Sequence, residues 1–379
     1  MRKKLKEICD FYSGTGFPVK YQGEENGELP FYKVGDIANN VNSGHVYLKF
    51  CNNYISHDDA KEMKGVIIPK NVVVFAKIGE ALKLNRRAIT SCDCLIDNNA
   101  MGIGGKSKYL NSMYFYFYMK NLKMETLAES TTVPSVRKTK LEEVEMEVPS
   151  LDEQSEIVNI LAKLQKIINE RQGQLEKLDF LIKARFVEMF GDPVNNSKGL
   201  PEATLPELGE FGRGISKHRP RNDPKLLGGE YPLIQTGDVA AAELYITDYS
   251  ATYSEIGLKQ SKMWNKGTLC ITIAANIAKT AILTFDACFP DSVVGFMAND
   301  RTSNVFIHYW FSFFQGILES QAPESAQKNI NLKILSELKV INPSKEAQEN
   351  FEQFVEQVDK SKVVLLNHLN GGARYGIEF

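Results

Sequence analysis

Few stretches of this 379-residue chain carry residue types that could do chemistry. The segment Ala100, Met101, Gly102, Ile103, Gly104, Gly105, Lys106, Ser107 fits a loose phosphate-loop pattern with alanine at the first glycine position. Backbone amides of such a loop can cradle a phosphate while the lysine neutralises it. The corresponding stretch of the second half, Val294 to Arg301, keeps one glycine and lacks the Gly-Lys-Ser. No acidic strand offers a magnesium ligand either, so 100–107 reads as a glycine-rich turn. A nucleotide-dependent enzyme built on this loop stays as an alternative.

Other chemistries find less support. Cys92 and Cys94 are separated by one residue, and the remaining cysteines (9, 51, 270, 288) and five histidines are dispersed. Neither zinc-ligand spacing nor a disulfide framework results, which leaves reduced structural thiols. A Gly-x-Ser-x-Gly nucleophile elbow is absent. So is an Asn/Asp-Pro-Pro-aromatic motif for methyl transfer. Phe211 to Gly214 lacks the context of a nucleotide loop, and Pro290-Asp291 lacks the Glu-x-Lys partner of a nuclease. The expectation is no catalytic residue, no metal and no cofactor.

The elements that would position any site follow from length, charge and repeats. At 379 residues, 43% hydrophobic and 24% charged, the chain is a globular protein of two or three domains. No apolar run reaches the roughly 18 residues of a membrane span, and Met1 to Leu5 leads into a charged segment, so no membrane and a cytoplasmic location are expected. The net charge of -2 does not advertise a polyanion binder. By segment, residues 1–150 carry 21 basic and 18 acidic side chains, and 191–343 carry 14 and 16. Any affinity for nucleic acid must arise from local patches or from partner proteins.

An internal repeat organises the chain. Leu141 to Gln154 aligns without gaps to Leu335 to Gln348 at an offset of 194, with Leu, Glu, Pro, Ser and Gln in register. Upstream, Gly35-Asp36-Ile37 corresponds to Gly237-Asp238-Val239 on an early strand, the β-prone run 71–76 to 267–273, and the aromatic run 114–118 to 309–313. Each half predicts short strands, then a helix at about 111–122 or 304–318 whose aromatics form a buried face rather than a base-stacking platform.

After Pro149-Ser150 and Pro343-Ser344 come acidic, glutamine-containing helix starts. The first long helix is predicted at about 152–190, ending at Gly191-Asp192-Pro193. Ile157, Leu164 and Leu178 form one heptad row, Ile160, Ile167 and Leu181 another, and Leu161, Ile168, Leu175 and Ile182 widen the stripe. The second, about 345–369, carries Phe351, Phe354, Val355, Val358, Leu365, Leu366 and Leu369 and ends at Gly371-Gly372. Pairing the helices antiparallel buries both stripes. The fold class is therefore α+β, two repeated α/β domains separated by long helices that form an antiparallel coiled coil. A purely structural coiled-coil adaptor is the second alternative.

This doubled order of Gly-Asp-Ile/Val, aromatic helix and Pro-Ser…Gln entry, with Met189 to Pro193 closing the first helix and Gln327 to Asn331 before the second exit, resembles the specificity subunit of type I restriction-modification systems. The resemblance covers nearly the whole chain, although Val133 to Arg137 departs from the pattern of 327–331. It implies a first target-recognition domain at 1–150, a spacer and docking helix at 151–193, a second recognition domain at 194–343 and a distal helix and tail at 344–379. It further implies a double-stranded DNA partner with a bipartite site, DNA adenine methyltransferase subunits, and restriction or translocase subunits that carry the chemistry. Candidate DNA contacts in the first half are Lys77, Lys83, Asn85, Arg86, Arg87, Arg137, Lys138 and Lys140. In the second they are Arg213, Lys217, His218, Arg219, Arg221, Asn276, Lys279, Lys328 and Asn329. Arginine and lysine suit guanine, and asparagine suits adenine.

Overall fold

A computed structural model describes residues 1–129, 133–274, 276–321 and 330–373. The chain divides into two compact units, one running from Met1 to Asn169 and the other beginning at Glu170. In the first, an antiparallel sheet orders the strands Cys9–Ser13, Ala100–Gly105, Val73–Ala76 and Ala88–Ile89. Val72 to Phe75 are all buried because successive side chains face opposite sides of the sheet and both sides are covered. Val73 and Phe75 join Phe115, Tyr116 and Met119 of the helix Ser112–Asn121, while Val72 and Val74 join Tyr32, Ile37 and Ile68.

The second unit repeats this plan. Gly209–Arg213, Val293–Ala298, Leu269–Thr272, Thr280–Leu283 and Tyr245–Ile246 form its main sheet, again with the apolar run at the centre. Leu269 and Ile271 pack with Phe306, Trp310 and Phe311 of the helix Asn304–Gln321, and Cys270 packs with Ile234, Val239 and Trp264. Both aromatic runs thus supply core.

Two local expectations are corrected. Gly35-Asp36-Ile37 is not on a strand but in the first turn of the helix Val34–Asn42, and Gly237-Asp238-Val239 occupies the first turn of Thr236–Ala241. The aspartate is the reason. Asp36 accepts the Lys33 N–H at 2.8 Å and the Asn52 amide at 2.6 Å, and Asp238 accepts the Gln235 N–H at 2.7 Å. A carboxylate three residues into a helix satisfies an otherwise unpaired amide at its positive end. Likewise 100–105 is an edge-to-edge paired strand rather than a turn. A Cβ at Gly102 would lie 2.9 Å from Val72 Cγ1, so the glycines permit close packing of that valine on the sheet.

The shared Pro-Ser…Gln entry is a clasp. Ser150 and Glu153 cap the first long helix reciprocally, with the Ser150 N–H and hydroxyl each 2.8 Å from the Glu153 carboxylate. One residue on, Gln154 is fully buried. Its Nε2 donates to the carbonyls of Tyr109 (2.8 Å) and Pro149 (3.0 Å), and its Oε1 accepts the Asn111 N–H at 2.8 Å. Gln348, also fully buried, donates to the carbonyls of Pro343 (3.0 Å) and Arg301 (3.1 Å) and accepts from the Thr302 hydroxyl at 3.0 Å. In each unit one side chain ties the start of a long helix to the loop that launches the aromatic helix.

The long helices span Leu151–Phe190, 40 residues, and Lys345–Ala373, 29 residues, the latter passing through Gly371-Gly372 rather than ending there. The first stops as expected, with Gly191 at φ +78°, a left-handed cap open to glycine. Within the second unit the two helices run antiparallel. Phe186 meets Phe351 at 5.3 Å between ring centroids, Arg185 lies over the Phe354 ring, and Asp179 binds Lys362. Lys362 is largely buried, 8% exposed, beside Asp179, Glu243 and Asp359. Burial alone would lower its pKa, but these carboxylates outweigh it and the net shift is upward.

The contact row uses Leu178, Ile182, Phe186 and Phe190, spaced four apart. A four-residue spacing follows the 3.6-residue period and not the heptad, so the predicted second row turns outward. Ile160, Ile167 and Leu181 are 59%, 51% and 45% exposed. On the second helix Phe351, Val355 and Val358 are buried, whereas the Leu369 side chain lies outside the described residues.

Both tryptophans of the chain, Trp264 and Trp310, belong to the second unit and are buried. Gln348→Ala leaves two carbonyls and a hydroxyl unpaired in the interior, a loss of about 2–4 kcal/mol. Its urea transition followed by tryptophan fluorescence is expected to move to lower denaturant. Gln154→Ala should leave that transition in place and instead speed amide exchange in Ser112–Asn121.

Candidate nucleic-acid interface

Strand register places most of the candidate DNA contacts at one end of each main sheet. In the second unit Arg213 pairs with Val294 and Thr272 with Val293, so the end of Gly209–Arg213, the residues 273–274 and 276–279 and the segment 289–292 lie together. The cationic loop after Gly214 is pressed onto this end. A Cβ at Gly214 would sit 2.3 Å from the Phe289 carbonyl oxygen, which only glycine permits. In the first unit Ala76 pairs with Ala100, and the loop 77–87 leaves from the same end. There the Val136 N–H donates to the Lys77 carbonyl at 2.9 Å, as the Ile330 N–H does to that of Ile273 at 2.9 Å. Arg137, Lys138 and Lys140 therefore follow directly from that edge.

The side chains separate into exposed and engaged groups. Lys140, Arg213, Lys217, Asn276 and Lys279 are exposed, and Lys77 and Arg86 partly so. Lys83 is tied to Glu80 at 2.8 Å, Arg137 to Glu129 at 3.0 Å and Lys138 to Glu142 at 3.6 Å, all at the surface where such pairs exchange readily. His218 Nε2 is 3.0 Å from Asp223, whose carboxyl is held below its usual range by the Lys225 N–H and then by His218. Arg219 and Arg221 share Asp291. Lys328 and Asn329 lie outside the described residues.

Two candidates are engaged within the domain. Arg87 is 2% exposed, with Nη1 on the Arg86 carbonyl (2.8 Å), Nη2 on Asn85 Oδ1 (2.6 Å) and its guanidinium over the Phe75 ring. Burial lowers its pKa to about 10. Asn85, at φ +51°, also donates to the Lys120 carbonyl at 2.9 Å. Arg87 is bound to its own loop, and Asn85 links that loop to the helix Ser112–Asn121. Sequence shows a basic run after a strand but not which cation folds inward.

The phosphate-loop pattern is likewise accounted for. Its residues pair across the sheet with Cys9 to Ser13 and Val73 to Ala76, and Lys106 reaches the Glu7 carbonyl at 3.4 Å and Asp10 at 3.9 Å. Amides engaged in a ladder cannot cradle phosphate. Among the described residues no three His, Cys, Asp or Glu side chains gather where they could hold a metal, and no helix is long and apolar enough to cross a membrane. All six cysteines are free, and burial raises the thiol pKa of Cys9 to about 12 and of Cys51 to about 11. The roles of Gln154 and Gln348 escaped the sequence reading, though their recurrence at an offset of 194 was the available sign.

A family model described as the type I restriction modification DNA specificity domain matches residues 1–178 and again 202–371. The chain belongs to this family of type I specificity domains. Among its relatives is a putative type I restriction enzyme specificity subunit of Methanocaldococcus jannaschii, 21% identical over 264 residues, a match covering 66% of this chain and 61% of that protein. A putative type I specificity subunit of Haemophilus influenzae is 22% identical over 318 residues, covering 83% of this chain and 75% of that one. The fold is similar to a crystal structure of the type I S subunit from M. genitalium, with a TM-score of 0.51 at 15% identity over 98% of this chain and 92% of that chain. A chain from a type I R-M system solved for its assembly and conformational transition gives a TM-score of 0.57 at 14% identity, covering 99% and 95%.

For this specificity-domain chain, Arg87→Lys tests the separation of structural from accessible cations. Lysine keeps the charge but lacks the planar fork that reaches Asn85 and Arg86 together. Amide exchange in the strands around Val73–Ala76 is expected to accelerate by a factor corresponding to about 1–2 kcal/mol. The salt dependence of any DNA binding should not change.

Proposed function

We propose that this chain is the DNA-reading subunit of a type I restriction-modification complex, each half contacting one part of a bipartite double-stranded site. The observation that carries this reading is the duplication itself. The same end of two equivalent sheets presents accessible cations, the exposed Lys140 and the partly exposed Lys77 in one unit and the exposed Arg213, Lys217 and Lys279 in the other. Two separate surfaces of one design suit two half-sites with unread bases between them. Functional boundaries at 1–150, 151–193, 194–343 and 344–379 assign the α/β parts to recognition and the helices to spacing and docking.

Near-neutral net charge fits a division of labour in which partners grip the phosphates while this chain contacts bases. Those partners are adenine methyltransferase subunits, joined by restriction or translocase subunits in the cytoplasm, and they carry methyl transfer, ATP hydrolysis and cleavage. The outward apolar side chains Ile160, Ile167 and Leu181, which fall on one face, give the first helix a surface that a helical partner can cover.

Exchanging residues 1–150 for the first domain of another family member is expected to change one half of the methylated sequence and leave the other intact, as read by methylome sequencing. A change in both halves would refute modular reading. Inserting four residues after Gln172 lengthens the first helix by about 6 Å. The half-sites should stay constant while their separation grows by about two base pairs, at roughly 3.4 Å each; unchanged spacing in an active complex would remove the helix as ruler.

A further inference from the structure

The cations of the loop 216–223 are not equivalent. Arg219 turns inward on its own loop, its Nη1 donating to the carbonyls of Ser216 (2.6 Å) and His218 (2.9 Å) and its Nη2 reaching Asp291 at 3.4 Å. It shapes the loop. Arg221 makes a single bond, from Nη2 to the other oxygen of Asp291, and its remaining guanidinium N–H groups have no partner among the described residues. A carboxylate that holds one N–H of a guanidinium tethers it and leaves the remaining donors free for another partner.

Arg221 also borders a cleft of about 280 Å³, together with Asn222, Gln235 and Ser292. Its floor is apolar, formed by Leu233 and Tyr253, which are 6% and 2% exposed. Asn222 and Gln235 are exposed at the rim, so one guanidinium and two amides stand around one opening at the cationic end of the sheet. These are the side chains that discriminate bases through paired donors and acceptors, the guanidinium with guanine and the amides with adenine.

We propose that Arg221 reads a guanine edge in the second half-site, that Asp291 is the positioning residue that presents it, and that Asn222 and Gln235 read the adjoining base pair. The proposal rests on the DNA-reading function above and names the readers within it. Asp291 acts on the base through Arg221, while its other oxygen holds Arg219 in the loop. By neutralising part of the charge it also restrains the loop from gripping phosphate indiscriminately, so that recognition depends on bidentate geometry.

The test uses the complete complex of this chain with its methyltransferase subunits, on the site established by methylome sequencing. Binding to the cognate duplex and to duplexes changed one base pair at a time is measured over a salt series. Arg221→Ala is expected to reduce discrimination at one G·C pair of the second half-site by on the order of 10- to 100-fold, with the first half-site unaffected. Asp291→Asn should lose discrimination at the same pair without weakening the salt dependence, and Asp291→Glu should recover most of it. A purely structural defect would lower binding to every duplex alike and would not be repaired by the glutamate. Uniform weakening by Arg221→Ala, with a salt slope lower by about one, would make it a phosphate contact and overturn the base-reading role. Full discrimination in Asp291→Asn would overturn the positioning role. The combined variant Arg213→Ala, Lys217→Ala, Lys279→Ala separates the two levels of argument. If it too binds like the parent, this surface does not touch DNA, and the functional reading fails with the proposal.

Discussion

A buried glutamine at the first turn of each long helix holds this architecture together. Gln154 and Gln348 each bind the carbonyl of the proline that opens their own helix and the loop that opens the aromatic helix. A primary amide can donate and accept at once, which lets one side chain satisfy groups from two segments in a dry site. Leucine would fill the space and leave those groups unpaired, while glutamate would bring a charge that the site does not compensate. The direction in which each long helix departs from its α/β layer follows from this bond set.

Much of the fold was legible in the sequence because it rests on periodicity. The apolar runs 71–76 and 267–273 read as strands, which the fold places at the centre of the main sheets, and the aromatic runs read as buried helix faces. The Pro-Ser…Gln repeat announced both long helices. What escaped depended on distant or local detail. The heptad reading placed Ile160, Ile167 and Leu181 in the seam, whereas Phe186 and Phe190 set a four-residue spacing by packing against the rings of Phe306 and Phe351, mostly edge to face. The Gly-Asp-Ile motif sits in a helix turn because its aspartate caps the backbone, a role indistinguishable by composition from a strand end. At the interface a basic run can be counted, but the inward turn of Arg87 depends on Phe75 beneath it.

Charge at the cationic sheet ends is managed locally. Asp291 and Glu129 each neutralise neighbouring arginine charge, which lets arginine-bearing loops coexist with a formal net charge of -2. Solvent-exposed pairs of this kind contribute little to stability, about 0–1 kcal/mol each. Their effect is on orientation: they decide which donors remain available at the edge of each sheet and which are committed to the loop itself.

The partners of Gln154 have a consequence for how such chains diversify. Its three bonds all go to main-chain atoms, the carbonyls of Tyr109 and Pro149 and the N–H of Asn111. A clasp made to backbone is indifferent to the side chains around it. A first α/β layer of different sequence therefore keeps the helix attachment intact, provided that its loop follows the same path. The joint constrains the course of the main chain and leaves the side chains of that loop free to differ.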